Sequence, residues 1–101
     1  MKVIIQTPDF KAQKALIDFV KEHIEKLQVF NERIHEGRVC LKLDASDKKE
    51  NKICDVKLVV PGNDLFASKQ SSSFEDAILQ TADALKRQLE RWKDVHSNNA
   101  A

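Results

Sequence analysis

Apolar residues recur along this chain either at every second position or at every third and fourth, and each change of spacing marks the border of an element. Lys2 to Gln6 alternates: Val3 and Ile5 share one face of a short strand and Ile4 takes the other. Thr7-Pro8-Asp9 breaks the strand and supplies helix-start chemistry, with Thr7 or Asp9 as the cap and Pro8 tolerated early in a helix. A helix is predicted from about Lys11 to Phe30, with Ala12, Leu16, Phe19, Val20, Ile24 and Leu27 as its core stripe. Its other face is a mixed charged surface, and His23 sits at the edge of the stripe as a packing residue with a polar tip. Phe30 and Ile34 occupy the exit, and Gly37 ends the segment.

Arg38 to Asp44 alternates again, Val39, Leu41 and Leu43 pointing one way and Arg38, Cys40 and Lys42 the other. The polar run from Asp44 to Asn51 reads as a hairpin loop. In the strand from Lys52 to Val60, Cys54, Val56, Leu58 and Val60 face inward, while Ile53, Asp55, Lys57 and Val59 face outward. Val60-Pro61-Gly62-Asn63 suits a type II turn. A last strand runs from Asp64 to Gln70 with Leu65 and Ala67 inward. Ser71-Ser72-Ser73 leads into a long helix, with Ser72–Glu75 at capping-box spacing and Ser73–Asp76 a weaker alternative. That helix spans Ser73 to about His96, its stripe being Phe74, Ala77, Ile78, Thr81, Ala82, Leu85, Leu89 and Trp92.

The element order is therefore β-α-β-β-β-α. The first helix is a right-handed crossover between parallel strands, and the remaining strands form antiparallel hairpins. This is an α+β fold, a four-stranded mixed sheet with two helices on one face and the other face open. Residues 1–96 are read as a single domain and residues 97–101 as a flexible tail. Cys40 and Cys54 fall on opposite faces of one hairpin, so two free thiols are predicted.

Composition narrows the function more by exclusion than by assignment. A chain of 101 residues buries roughly 65% of its unfolded surface, enough for one modest core. A formal net charge of +1 argues against a general polyanion binder but leaves room for a shaped one. The opening apolar run is too short for a signal segment and nothing approaches a membrane span, so the cytoplasm is the expected location. With only Gly37 and Gly62, no glycine-rich phosphate loop can be built. His23, His35 and His96 lack metal-ligand spacing with the cysteines or carboxylates. No catalytic group, metal site or cofactor is expected, and the chain is not read as an enzyme.

What remains is a cationic half-helix. The first half of the last helix carries Glu75, Asp76 and Asp83; the second carries Lys86, Arg87, Arg91 and Lys93 against Glu90 and Asp94. Such charge complements the helix dipole, and it also binds phosphate when several cations converge.

The segments LIDFVKEHIEKLQVFNERI, VCLKL, PGNDLFAS and FEDAILQTADALKRQLERWKD, in that order, resemble the ribosome hibernation promoting factor and ribosome-associated inhibitor family, also labelled sigma-54 modulation proteins. The resemblance runs from Val3 to about Lys93. It implies a shape related to double-stranded RNA-binding domains, and a partner in the small ribosomal subunit and its rRNA. Members silence or store ribosomes in stationary phase or stress by occupying the mRNA/tRNA channel. Carried over, Lys26, Arg33, Lys86, Arg87, Arg91 and Lys93 would face rRNA phosphates; Lys26 and Arg33 come from the resemblance alone. Two features depart from the pattern. Ala84 stands where a lysine is frequent, and the lysines often found at the end are replaced by SNNAA. Long members carry a further C-terminal domain that pairs ribosomes, so the chain is read as a short form. The alternative reading is a protein-interaction or structured-RNA-binding module that uses the basic helix end or the open sheet face. On that face Ile4, Ile53, Val59 and Phe66 would support weak self-association.

Overall fold

Strand parity sets the architecture. A computed structural model describes residues 1–46 and 49–100, with side chains as far as Arg91. The strands are β1 (Lys2–Gln6), β2 (Glu36–Leu43), β3 (Lys52–Val59) and β4 (Leu65–Ser71), and the helices are α1 (Lys14–Glu25) and α2 (Phe74–Ala100). The sheet order is β1-β2-β3-β4. β1 lies parallel to β2, and the two later pairings are antiparallel. Val39, Leu41, Cys54, Val56, Leu58 and Ala67 fill the covered face and pack with Val20, Ile24, Ala77, Ile78, Leu85 and Leu89 from the helices. The expected fold class is the one observed.

Several boundaries differ from expectation, each for a tertiary reason. α1 begins at Lys14, with Gln13 as an N-cap that makes no side-chain bond. Asp9 does not cap it; its carboxylate accepts a hydrogen bond from the Leu43 N–H at 3.0 Å. Residues 7–13 are thereby held as a loop against the end of β2, and Phe10 stacks on Phe74 with centroids 4.8 Å apart. The far end of α1 tightens into a 3₁₀ turn over Lys26–Val29. Leu43, expected inward, is 38% exposed, at the end of its strand.

Gly37 proves to be part of β2 and buried, not a terminator. A Cβ there would come within 2.9 Å of Ile24 Cγ2, so the missing side chain lets α1 lie close on the sheet. Gly62 has φ of 90°, as the third position of a type II turn requires. Of the two candidate caps, Ser73 is the one used: its Oγ accepts the Asp76 N–H at 3.1 Å. α2 continues to Ala100, past the expected end near His96, because neither glycine nor proline interrupts it. The side chains of Trp92 and Lys93, together with Asp47, Lys48 and Ala101, lie outside the description. Both cysteines are free, Cys54 buried and Cys40 half-buried.

Candidate functional site

The two helices cross the covered face of the sheet side by side and leave a groove between them. Leu27, Val29, Phe30 and Ala82 supply its apolar surface, and His23, Lys26, Asp83 and Lys86 its polar rim; its volume is about 380 Å³. The 3₁₀ turn forms one wall of it, with Val29 outside the core and Phe30 half-buried against it. Val29 is 82% exposed. The Lys86 ammonium lies 5.5 Å from the centroid of the Phe30 ring, within cation–π range. That contact ties the middle of α2 to the exit of α1. His23 packs against Phe19, centroids 4.3 Å apart, as its place at the edge of the stripe suggests.

Lys26 and Lys86 thus come together at one groove although they are far apart in sequence. Of the other expected residues whose side chains are described, Arg33, Arg87 and Arg91 do not line that groove. Arg87 is one residue on from Lys86, hence ~100° further round the helix, and its guanidinium pairs with Asp83 at 2.9 Å. Arg91 is exposed, four residues on from Arg87 and three on from Gln88, so it lies between the two round α2; the Gln88 amide donates to the Phe66 carbonyl at 3.0 Å. Arg33 is exposed in the loop before β2, its backbone N–H held by Asn31 Oδ1 at 2.9 Å. The Lys93 side chain is outside the description.

None of these cations is committed to its intramolecular partner. Lys26 pairs with Glu22 at 3.5 Å, and the two side chains are 63% and 61% exposed. Exposed pairs one helical turn apart are worth about 0.3–0.5 kcal/mol, so an incoming phosphate can take over either cation.

The opposite, open face of the sheet is more polar than expected. Phe66 is 58% exposed, but Ile4, Ile53 and Val59 are half-buried beside charged neighbours. Lys42 binds Asp55 at 2.7 Å, and this hydrogen bond, followed by the charge of the same carboxylate, holds the ammonium's pKa above its ordinary value. Arg38 pairs with Glu36 at 2.7 Å and Lys57 with Asp64 at 3.3 Å. Ser68 donates to Asp55. Among the described residues no group of His, Cys, Asp and Glu could hold a metal ion, and no helix is long and apolar enough to cross a membrane. Burial pushes the Cys54 thiol up to about 11, so it is a poor nucleophile.

Comparison with known proteins agrees with the resemblance drawn from the sequence. The family described as sigma 54 modulation protein / S30EA ribosomal protein matches residues 3–97. The ribosome hibernation promoting factor of Klebsiella oxytoca is 32% identical over 94 residues, covering 93% of this chain and 95% of that protein. Its counterpart from Salmonella typhimurium strain LT2 is 34% identical over 94 residues, with the same coverage. Among solved structures, a ribosomal subunit interface protein from Coxiella burnetii superposes with a TM-score of 0.82 at 18% identity, covering 93% of this chain and 99% of that one. The N-terminal domain of Protein Y from Thermus thermophilus gives 0.78 at 17% identity, covering 91% and 99%. At those identities the two structures speak for the fold alone.

Proposed function

The chain belongs to the sigma 54 modulation protein / S30EA ribosomal protein family, whose curated relatives here are ribosome hibernation promoting factors, and from that premise we propose that it silences translation by lodging in the mRNA/tRNA channel of the small ribosomal subunit. The action is occupancy, with no bond made or broken. It takes place in the cytoplasm, and its setting is stationary phase or stress.

The observation that carries this reading is the meeting of Lys26 and Lys86 at the groove between the helices. Cations on two different elements, with Lys86 beside the Phe30 ring at the exit of α1, can match a particular arrangement of phosphates. A flexible basic tail would bind any polyanion. The exposed Val29, beside the half-buried Phe30 ring, adds an apolar patch that phosphate-binding alone does not need, suited to a base or sugar edge in folded rRNA. Arg33, Arg87, Arg91 and Lys93 are assigned supporting contacts with rRNA phosphates around this centre. Near-zero net charge keeps binding to unrelated nucleic acid weak, so shape decides where the protein settles.

The test is co-sedimentation with ribosomes through a sucrose gradient. A Lys26→Glu/Lys86→Glu protein should keep its circular dichroism spectrum and leave the ribosomal fractions. Undiminished co-sedimentation of the folded double variant would remove the groove from the interface.

A further inference from the structure

The register of the open sheet face sets four residues in one straight row across all the strands: Ile4 opposite Arg38, Arg38 opposite Lys57, and Lys57 opposite Phe66. Adjacent strands are ~4.8 Å apart, so two cations stand side by side at the centre of the face, with an apolar side chain at one end and an exposed aromatic ring at the other. Like charges directly opposite each other weaken a sheet. This pair is tolerated because Glu36 and Asp64 flank it, at 2.7 Å from Arg38 and 3.3 Å from Lys57. Both are surface pairs, with the cations about half exposed, and both can be exchanged for a better anion at little cost.

A concavity of about 350 Å³ lies over this row and takes in the next one, where Gln6, Cys40 and Asp55 sit. Phe66 is 58% exposed and forms its wall. The lining is therefore two adjacent cations, a flat ring beside them, an amide, Gln6, that both donates and accepts hydrogen bonds, and the Asp55 carboxylate, whose charge Lys42 offsets at 2.7 Å. A phosphodiester with an unpaired base presents the complement of the cations, the ring and the amide. A duplex does not, because its base faces are already stacked.

The geometry points to a second nucleic-acid site on this face, one that takes a single-stranded RNA segment with a phosphate over Arg38 and Lys57 and a base stacked on Phe66. The helix-side groove and the sheet face then grip RNA from opposite sides of one small domain. The inference rests on the ribosome-binding reading for the source of the RNA, but its chemistry is tested apart from ribosomes.

The probe is fluorescein-labelled hexauridylate, titrated with the full chain at low salt and followed by fluorescence anisotropy. The wild-type chain should bind, and Phe66→Ala should weaken binding by about fivefold or more. Phe66→Trp should restore it, and Lys57→Glu should weaken it, with circular dichroism unchanged in each. Lys21→Glu, exposed on α1 and part of neither proposed site, should leave the oligonucleotide affinity unaltered. If Phe66→Ala binds hexauridylate as well as the wild type, the inference is wrong. It is equally overturned if uridine monophosphate competes at the same concentration as the hexamer. A concentration-dependent dimer, abolished by Phe66→Ala in sedimentation equilibrium, with no oligonucleotide binding, would assign the face to a second copy instead. Loss of ribosome binding in the Lys26→Glu/Lys86→Glu protein addresses only the helix-side groove, so the two proposals fail independently.

Discussion

At the scale of single residues, the clearest constraint is the absent side chain of Gly37. Ile24 Cγ2 occupies the space a methyl group would need, with Met1 Sδ at 3.3 Å on another side. Gly37→Ala should destabilise the fold by about 1–3 kcal/mol, the range for forcing an extra carbon into a packed core, read as a lowered urea midpoint. The cysteines offer a second test. Cys54 is fully buried and its thiol is held up to about 11 against an ordinary 9.0, chiefly by loss of water and partly offset by its bond to Thr81. The folded protein therefore keeps this proton where the unfolded chain releases it, so stability should fall as pH rises from about 9 to about 11. Replacing Cys54 by alanine should remove that part of the alkaline decline, although the cavity lowers stability at every pH. With a thiol reagent at neutral pH, Cys40 should react in the native protein and Cys54 only on unfolding.

At the scale of elements, the start of α2 is the best defined. Ser73 caps it, and the Asp76 carboxylate collects hydrogen bonds from Ser71 Oγ and from Gln80 Nε2 at 2.6 Å. Those bonds, Ser71's first, hold the Asp76 pKa below its ordinary 3.8. A depressed carboxylate stabilises the fold above its unfolded pKa, and the contribution disappears as pH falls through the folded value. The gap in urea midpoint between the wild type and Asp76→Asn should therefore be widest at neutral pH and close in acid below 3.8. Ser73→Ala should cost about 1 kcal/mol, while Ser72→Ala should cost little. Both serines have the right spacing to an acid; the path of the chain leaving β4 decides which of them reaches the helix. The exit of α1 was legible only in part. Its apolar periodicity continues smoothly to Leu27, but the 3₁₀ turn that exposes Val29 and aims Phe30 at Lys86 has no counterpart in spacing.

At the scale of the whole molecule, RNA affinity should be distributed over separated cations rather than concentrated in one patch. Charge reversal at Arg87, Arg91 and Lys93 together should leave the protein folded and weaken its co-sedimentation with ribosomes. If four phosphates are contacted, the slope of log affinity against log salt should lie near −3 to −4 and become shallower by about one for each cation removed from a contact. A slope that survives all three reversals would place these residues away from the RNA.

The element order, the mixed sheet with its covered and open faces, and the opposite placement of the two cysteines follow from alternation and helical spacing, since those periods report which side of an element meets water. The cationic character of α2 was equally plain in the sequence. Periodicity could not show that Lys26 and Lys86 line one groove while Arg87 is paired with Asp83 at its rim, because neighbours on different helices depend on how the helices pack. Nor could it show that Arg38, Lys57 and Phe66 stand in one row. Each was readable as outward-facing, but a row across strands exists only once the hairpins take their register. Asp9 shows the same limit: its local chemistry suits a helix cap, and a backbone N–H thirty-four residues away took it instead. Local spacing decides what faces outward; only packing and register decide which outward-facing groups stand together.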